Sequence, residues 1–398
     1  MNYKSIFNLL GILLGIFSLS FVPPLILTFV YDESGREIFL YSFIFFSILG
    51  GSIWTSTRQQ NLPLNISDGF VITTLFWVVL ACAGSIPFYF FGLGISDAIF
   101  ESVSGITTTG ATTIVGLDNF PKSILLYRQL LQWIGGMGLI ILAVAVMPAL
   151  GIGGGQLYKM ELPGSHGNQK LTPKITDSAK ALWKIYVGLT FICATLYLFS
   201  GMTLFDSIAH SLSTVAGGGF STHDESIGFY NSTLIETVCI IFMLLSAASF
   251  AVHYAVIFGG KPFKYFYDSE FRFFLSVVLL IIIISLIVNI ISNSYADVFS
   301  AISSTIFHVV SIVTTSGFTT ENFSLWPGFL PYLLLVGAFM GACSQSVGGG
   351  IKAWRVLIMI NQAYKEILKT IHPNAVLTSK IGTKAVSYTH LTLPTRAV

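Results

Sequence analysis

A chain of 398 residues in which 54% are hydrophobic and only 10% charged is too apolar for a water-soluble domain and too long for a single core. The net charge of +2 carries no signal by itself, and no nucleic-acid partner is expected. The four cysteines, Cys82, Cys193, Cys239 and Cys343, stand singly in or beside apolar runs without metal-ligand spacing, and they read as small core residues rather than as a disulfide framework or a zinc site.

A membrane-spanning helix needs about 20 apolar residues, and eight stretches qualify: roughly 5–30, 37–57, 69–91, 123–149, 181–201, 232–258, 273–292 and 327–362. The first has no small-residue cleavage site and reads as a retained helix. Residues 1–67 are expected to hold two extra helices, joined by the acidic turn Asp32, Glu33, Ser34, Gly35 and kinked at Pro23 and Pro24. Residues 68–155 form a first unit: a span to about Phe91, a short helix capped by Ser96 or Asp97, a turn at Thr107, and a long helix after Pro121. That long helix carries Arg128, Gln129, Gln132 and Trp133. The arginine is expected to snorkel or to pair near the short helix, while Gly135, Gly136 and Gly138 permit close helix contact.

A polar loop occupies 156–180, a second unit 181–260 and a third 261–376. The last apolar stretch is interrupted by Gly341, Ala342, Cys343, Ser344, Gln345, Ser346, Val347, Gly348, Gly349 and Gly350, a run that does not stay helical. Irregular backbone at membrane depth must be buried in protein or line a watery cavity, so this loop is placed in a permeation path on the inner side. Residues 377–398 read as the truncated start of a fourth unit followed by a foreign tail. From residue 386 onward the chain resembles translated adapter sequence, and it is expected to be a fragment.

Basic residues set the orientation. Lys4, Arg58, Lys159, Lys170, Lys174, Lys180, Lys184, Lys261, Lys264, Arg272, Lys352 and Arg355 fall on one side, with only Arg36 and Lys122 on the other. By the positive-inside rule the amino terminus is cytoplasmic and the glycine turns are external.

Those turns carry the functional reading. Thr107, Thr108, Thr109 and Gly110 align with Ala216, Gly217, Gly218 and Gly219, and with Thr314, Thr315, Ser316 and Gly317. Upstream, Asp97 and Asp206 lie thirteen residues before their glycine, and Glu101, His210 and His308 lie nine before. A dehydrating cation needs a ring of close oxygens, and backbone carbonyls supply it where glycine allows unusual dihedrals. The carbonyls of Thr108, Thr109, Gly217, Gly218, Thr315 and Ser316 are the expected ligands, with the three glycines as hinges. The carboxyl ends of the short helices add attraction for cations. Nine residues of helix put Glu101, His210 and His308 about 13 Å from the glycines, so they are read as anchors rather than a metal site. No nucleophile elbow, phosphate-binding loop or zinc motif is present, and the chain is not read as an enzyme.

The stretches Thr107 to Thr113, Arg128 to Met137, Gly218 to Asp224, Thr315 to Thr320, Gly341 to Lys352 and Ile371 to Val376 together resemble the Trk/Ktr/HKT superfamily of potassium transporters, within it the bacterial TrkH or TrkG type. The resemblance implies an all-α polytopic membrane protein of tandem helix, pore-loop, helix repeats around a pore axis, three of the usual four being present. It implies potassium as the transported ion, with no bound organic cofactor. It also implies multi-pass insertion in the bacterial inner membrane, contact with membrane lipid, a homodimer, and a cytoplasmic nucleotide-binding regulatory ring of the TrkA-like kind. In that family a glycine at each turn goes with potassium and a serine in the first with sodium, so Gly110, Gly219 and Gly317 favour potassium. The intramembrane gate falls on Gly341, Ser344, Gln345, Ser346, Gly348, Gly349 and Gly350, where Gln345 and Val347 depart from the small or hydroxyl residues expected. Two alternatives are weighed. A sodium- or proton-coupled symporter would use Glu101 or Glu236 as its intramembrane carboxylate, and a polytopic membrane enzyme would need a catalytic cluster.

Overall fold

The computed structural model describes residues 3–58, 66–150, 175–260 and 262–372, with a two-stranded antiparallel pair at Lys380–Ile381 and Lys384–Ala385. The lysines at 159, 170, 174 and 261, the glycine run 151–155, most of the 156–180 loop and the tail from 386 lie outside the described residues. Everything else described is helix or the turns between helices.

The first apolar stretch is one helix in two parts. Tyr3–Ser18 tightens into a 3-10 turn over Leu19–Phe21 and resumes as Val22–Val30. Pro23 and Pro24 sit in the first turn of the second part, where their missing N–H groups have no helical partner to lose. Arg36–Thr57 returns alongside, backbone against backbone. A Cβ on Gly50 would lie 2.7 Å from the nitrogen of Gly15 and 2.8 Å from the carbonyl of Gly11. In lipid, where apolar surface alone drives no association, such close approach is what holds two helices together.

Three units follow, each a leading helix, a short helix, a glycine turn and a returning helix. The first uses Ile66–Phe90, Ile95–Ile106 and Lys122–Leu150. The second uses Ile175–Phe199, Leu204–Ala216 and the pair Thr233–Ala247 and Phe250–Ile257. The third uses Ser269–Ile291, Val298–Val313 and the pair Leu330–Met340 and Ala353–Ile371. Each short helix packs between its own two long helices, and the second short helix also packs on the returning helix of the first unit. Five helices among the described residues are long and apolar enough to cross a membrane, or six if the bent pair of the second unit is one span.

Three features differ from the sequence reading. The stretch 232–258 is not continuous: it bends by 101° between Ala247 and Phe250. The backbone groups released there find partners in the third unit, since Cys343 N donates to Ala247 O at 3.0 Å and Phe250 N donates to Gln345 O at 2.9 Å. The loop expected to run to residue 180 ends earlier, because the leading helix of the second unit starts at Ile175. The first short helix begins at Ile95 with Gly94 as its cap, so neither Ser96 nor Asp97 caps it; Asp97 lies in the first turn, where its charge faces the positive helix end.

The polarity is inverted relative to a water-soluble fold. Phe191, Phe199, Leu279, Ile283, Leu335 and Val336 are exposed, while Glu101, Arg128, Gln132, Ser213, His210 and His308 are buried. The N-terminal pair is fastened to this interior by Glu33, whose two oxygens accept from Lys122 N at 2.8 Å and Ser123 N at 3.0 Å. It thereby caps a helix some ninety residues away with a charge suited to the helix dipole. We predict that Gly50→Ala lowers the thermal stability of the detergent-purified protein by the equivalent of about 1–3 kcal/mol. An unchanged melting temperature would contradict the close crossing.

Candidate functional site

All three short helices end in the same way. In the first, Thr108 N donates to Gly105 O at 3.0 Å and Thr109 N to Ser104 O at 2.9 Å; in the second, Gly217 N donates to Thr214 O and Gly218 N to Ser213 O, both at 3.1 Å; in the third, Thr315 N donates to Ile312 O at 3.0 Å and Ser316 N to Ser311 O at 2.9 Å. This crossed pair of bonds closes a helix only if the residue just past its end is left-handed. Thr108, Gly217 and Thr315 have φ of 55°, 66° and 62°. The glycines two residues on are left-handed as well, with φ of 77° at Gly110, 75° at Gly219 and 86° at Gly317. A β-branched threonine at positive φ is a true outlier, costing roughly 1–3 kcal/mol, and here two of three turns hold one.

The turns sit edge to edge. A Cβ on Gly110 would run into the carbonyl oxygen of Gly218, and one on Gly219 into that of Ser316. The structure therefore brings the predicted residues of adjacent turns together, first against second and second against third. Gly317 has nothing within 4 Å of where its Cβ would be.

Below the turns lies the interrupted stretch. Leu330–Met340 ends at Gly341 (φ 67°), and helix resumes at Ala353. The loop between them is pinched at its base, with Ile351 N donating to Phe339 O at 2.9 Å and Lys352 N to Met340 O at 3.0 Å. Its tip touches the turns: Gly349 N donates to Thr315 Oγ1 at 2.6 Å, and a Cβ on Gly348 would be 2.8 Å from Thr314 O. Val347 reaches the second turn, its methyl 3.5 Å from where a Cβ on Gly217 would stand. Lys352 Nζ donates to the carbonyls of Ser346 and Gly348, and Ser346 Oγ to Cys343 O. Ser344 N and Trp354 N, on opposite limbs of the loop, both donate to Glu270 Oε1. Glu270 was not singled out in the sequence, where an acid in a helix's first turn looks like an ordinary dipole partner.

The aligned residues nine before each glycine are buried tethers. Glu101 accepts from Thr112 Oγ1 and from Thr113 N at 2.7 Å; His210 Nε2 pairs with Ser221 Oγ at 3.0 Å; His308 Nε2 accepts from Thr320 N at 3.3 Å. Each pins the limb that climbs away from its own turn, as the anchor reading requires. No group of three metal-ligating side chains occurs among the described residues. Arg128 does not snorkel: it is buried, bonds Glu101 Oε2 at 3.2 Å, Thr112 Oγ1 at 3.0 Å and Ser221 O at 3.1 Å, and lies 4.2 Å over the Phe220 ring. One cation thus clamps the climbing limbs of the first and second units. Gly135 and Gly136 allow this helix to press on the ends of two short helices, at Ile106 O and at Ala216.

The serine six residues before each glycine was missed, though Ser104, Ser213 and Ser311 occupy one register. Ser104 Oγ donates to Ala111 O and Ser311 Oγ to Phe318 O, each at 2.6 Å, tying helix end to climbing limb.

Beyond the climbing limbs His223 joins the first two units. Its Nδ1 bonds Asp118, its Nε2 is 3.7 Å from Asp206, and Phe229 stacks on it at 3.6 Å. Partial burial alone would lower the imidazole's pKa, but Asp206 and Asp118 outweigh it and hold the value above the ordinary one. Burial likewise pushes the Asp206 carboxyl up, and contacts with His223, Thr203 and Thr222 overcome it to leave the value below the usual range.

Two predictions follow from this network. Removing one partner of the buried pair, as in Arg128→Gln, strands the Glu101 charge and costs about 3–5 kcal/mol, read as a large fall in melting temperature; Arg128→Gln with wild-type stability would refute the clamp. Because the His223 pKa is raised by folding, its contribution is complete below about pH 6.5 and is lost as pH rises through the folded value. The melting temperature should fall over that rise, and His223→Ala should flatten the profile; a profile unchanged by the substitution would refute it.

Comparison with known proteins agrees with this architecture. Residues 35–392 match the family model TrkH, described as a cation transport protein. The match runs past residue 386, so it takes in residues that the sequence reading set aside as foreign. The chain is 44% identical over 391 residues to the Trk system potassium uptake protein TrkH of Vibrio parahaemolyticus, covering 97% of this chain and 81% of that protein. It is 43% identical to Trk system potassium uptake protein TrkH of Escherichia coli strain K12, covering 97% and 80%. Trk system potassium uptake protein TrkG of the same strain is 39% identical, with the same coverage. Among solved structures, the crystal structure of the potassium transporter TrkH from Vibrio parahaemolyticus superposes with a TM-score of 0.87 at 42% identity, covering 97% of this chain and 80% of that one.

Proposed function

This chain belongs to the TrkH family of cation transport proteins, and from that premise we propose that it takes potassium into the cell through a pathway lined by its glycine turns. The observation that carries the reading is the threefold repetition of one strained backbone: left-handed residues at Thr108, Gly217 and Thr315, again at Gly110, Gly219 and Gly317, with adjacent turns in contact. Alternating the hand of successive residues aims neighbouring carbonyls to one side, which is what a cation shedding its water requires. The chain's membership in a transporter family, not an enzyme family, agrees with the absence of a catalytic motif.

The residues assigned to the filter are Thr107, Thr108, Thr109, Gly110, Ala216, Gly217, Gly218, Gly219, Thr314, Thr315, Ser316 and Gly317. The gate is the loop beneath them, acting through Gly341, Ser344, Gln345, Ser346, Gly348, Gly349 and Gly350. Support comes from the Gly349–Thr315 bond and from the close packing of Gly348 on Thr314 and of Val347 on Gly217. The domain plan is that of the sequence reading, two leading helices and successive turn-bearing units. Insertion in the inner membrane with the amino terminus inside, a homodimer and a nucleotide-binding cytoplasmic regulator of the TrkA-like kind complete the proposal. The word system in the relatives' names supports further components. Neither carboxylate suggested for ion coupling is free, since Glu101 pairs with Arg128 and Glu236 accepts from Ser303 Oγ at 2.7 Å, so no observation favours the symporter.

The protein should restore growth of a potassium-uptake-deficient bacterium at low potassium; rubidium uptake no greater than that of an empty vector would overturn the reading. Gly110→Ser adds a side chain where the Gly218 carbonyl stands and should lower the preference for potassium over sodium. Shortening Gly341 to Gly350 should raise flux, and unchanged flux would remove the gate from the proposal.

A further inference from the structure

The second turn is built differently from its neighbours. In the first and third, the serine six residues before the glycine closes the turn by donating to the carbonyl just after the glycine. In the second, Ser213 Oγ donates instead to Gln132 Oε1, at 2.5 Å. The same oxygen accepts from Phe220 N at 3.1 Å, and Gln132 Nε2 donates to the carbonyl oxygen of Gly218 at 2.7 Å. The amide of a residue from the first unit is therefore threaded into the turn of the second, with the side chain wholly buried. Gly218 has to be glycine on this account, because a Cβ there would stand 2.6 Å from Oε1 and 2.7 Å from Nε2.

We propose that Gln132 is a specificity-determining positioning residue: by hydrogen-bonding the Gly218 carbonyl it sets the orientation and the ligand strength of that oxygen, and through it the choice between monovalent cations. The inference rests on the filter assignment above. A carbonyl that already accepts an N–H bond has less electron density to offer a cation, so it is a weaker-field ligand. Weak-field oxygens favour the larger ion, which surrenders its water more readily, and field strength is one of the terms on which potassium and sodium are told apart. Gly110 abuts the same oxygen from the first turn, so the Gly218 carbonyl of the second unit is held by the first unit twice, by contact with the turn and by the amide of the returning helix. Removing the amide leaves a stronger-field oxygen free to rotate, and the smaller ion gains.

The test is rubidium uptake with sodium competition in the potassium-uptake-deficient host, using Gln132→Met, which keeps the length and loses the donor. The preference for rubidium over sodium should fall about tenfold, the worth of one hydrogen bond. A role confined to stability would lower total uptake and leave the ratio where it was, and that result overturns the proposal. If Gln132→Met does not reach the membrane, Ser213→Ala decides: it removes one tether of the amide and should shift the ratio in the same direction by a smaller factor, and an unchanged ratio again overturns the proposal. Failure of the unsubstituted protein to take up rubidium would instead sink the potassium reading itself.

Discussion

Everything in this structure depends on how three short helices stop. A helix end leaves carbonyls without partners, and inside a membrane protein water is not there to take them. The crossed pair of bonds at Ser104, Ser213 and Ser311 satisfies two of them, at the cost of a left-handed residue immediately afterwards. Once the chain has turned left, right and left again, its carbonyls are committed to a direction. The second unit lowers the strain with Gly217, whereas the first and third retain threonine at Thr108 and Thr315. What keeps those threonines in place is the surrounding tether set: hydroxyl to carbonyl at Ser104 and Ser311, and Glu101 and His308 on the climbing limbs.

The units are joined by polar groups rather than by apolar surface alone. Arg128 and Gln132, one helical turn apart on the first returning helix, reach respectively the climbing limb and the turn of the second unit. Gly135 and Gly136, one turn further, let the helix come close enough for both to do so. Buried charge of this kind is poor evidence for stability, since pairing only offsets desolvation. Its value here is register: the fork of Arg128 fits one relative placement of the two limbs.

How much of this was legible in the chain depends on whether a signal is local and repeated. The turns were, because Gly110, Gly219 and Gly317 share flanks that align without gaps. The loop at 341–350 was, because a glycine triplet inside an apolar run contradicts helix. The serines in the same register passed unremarked among many hydroxyl residues, although alignment places them. The 101° bend at Ala247 was not legible, since Ser246, Ala247, Ala248 and Ser249 are acceptable helix residues and the bend is stabilised by bonds from the third unit. Gln132 and Glu270 were likewise opaque, one threading a turn 86 residues on and the other gripping a loop 74 residues on. A residue whose partner is that distant gives no sign of its task in its own neighbourhood.

That bend has a mechanical consequence. The C=O of Ala247 and the N–H of Phe250 are bonded to Cys343 and Gln345 of the interrupted stretch. Without those partners both groups would be orphaned unless water took them, and an unpaired buried group costs roughly 1–3 kcal/mol. A helix straightened across Ala248 would pair them internally again, so the bend and the stretch that supplies its partners are mutually dependent. Bend and interrupted stretch are on this account two jaws of one catch, each holding backbone groups of the other.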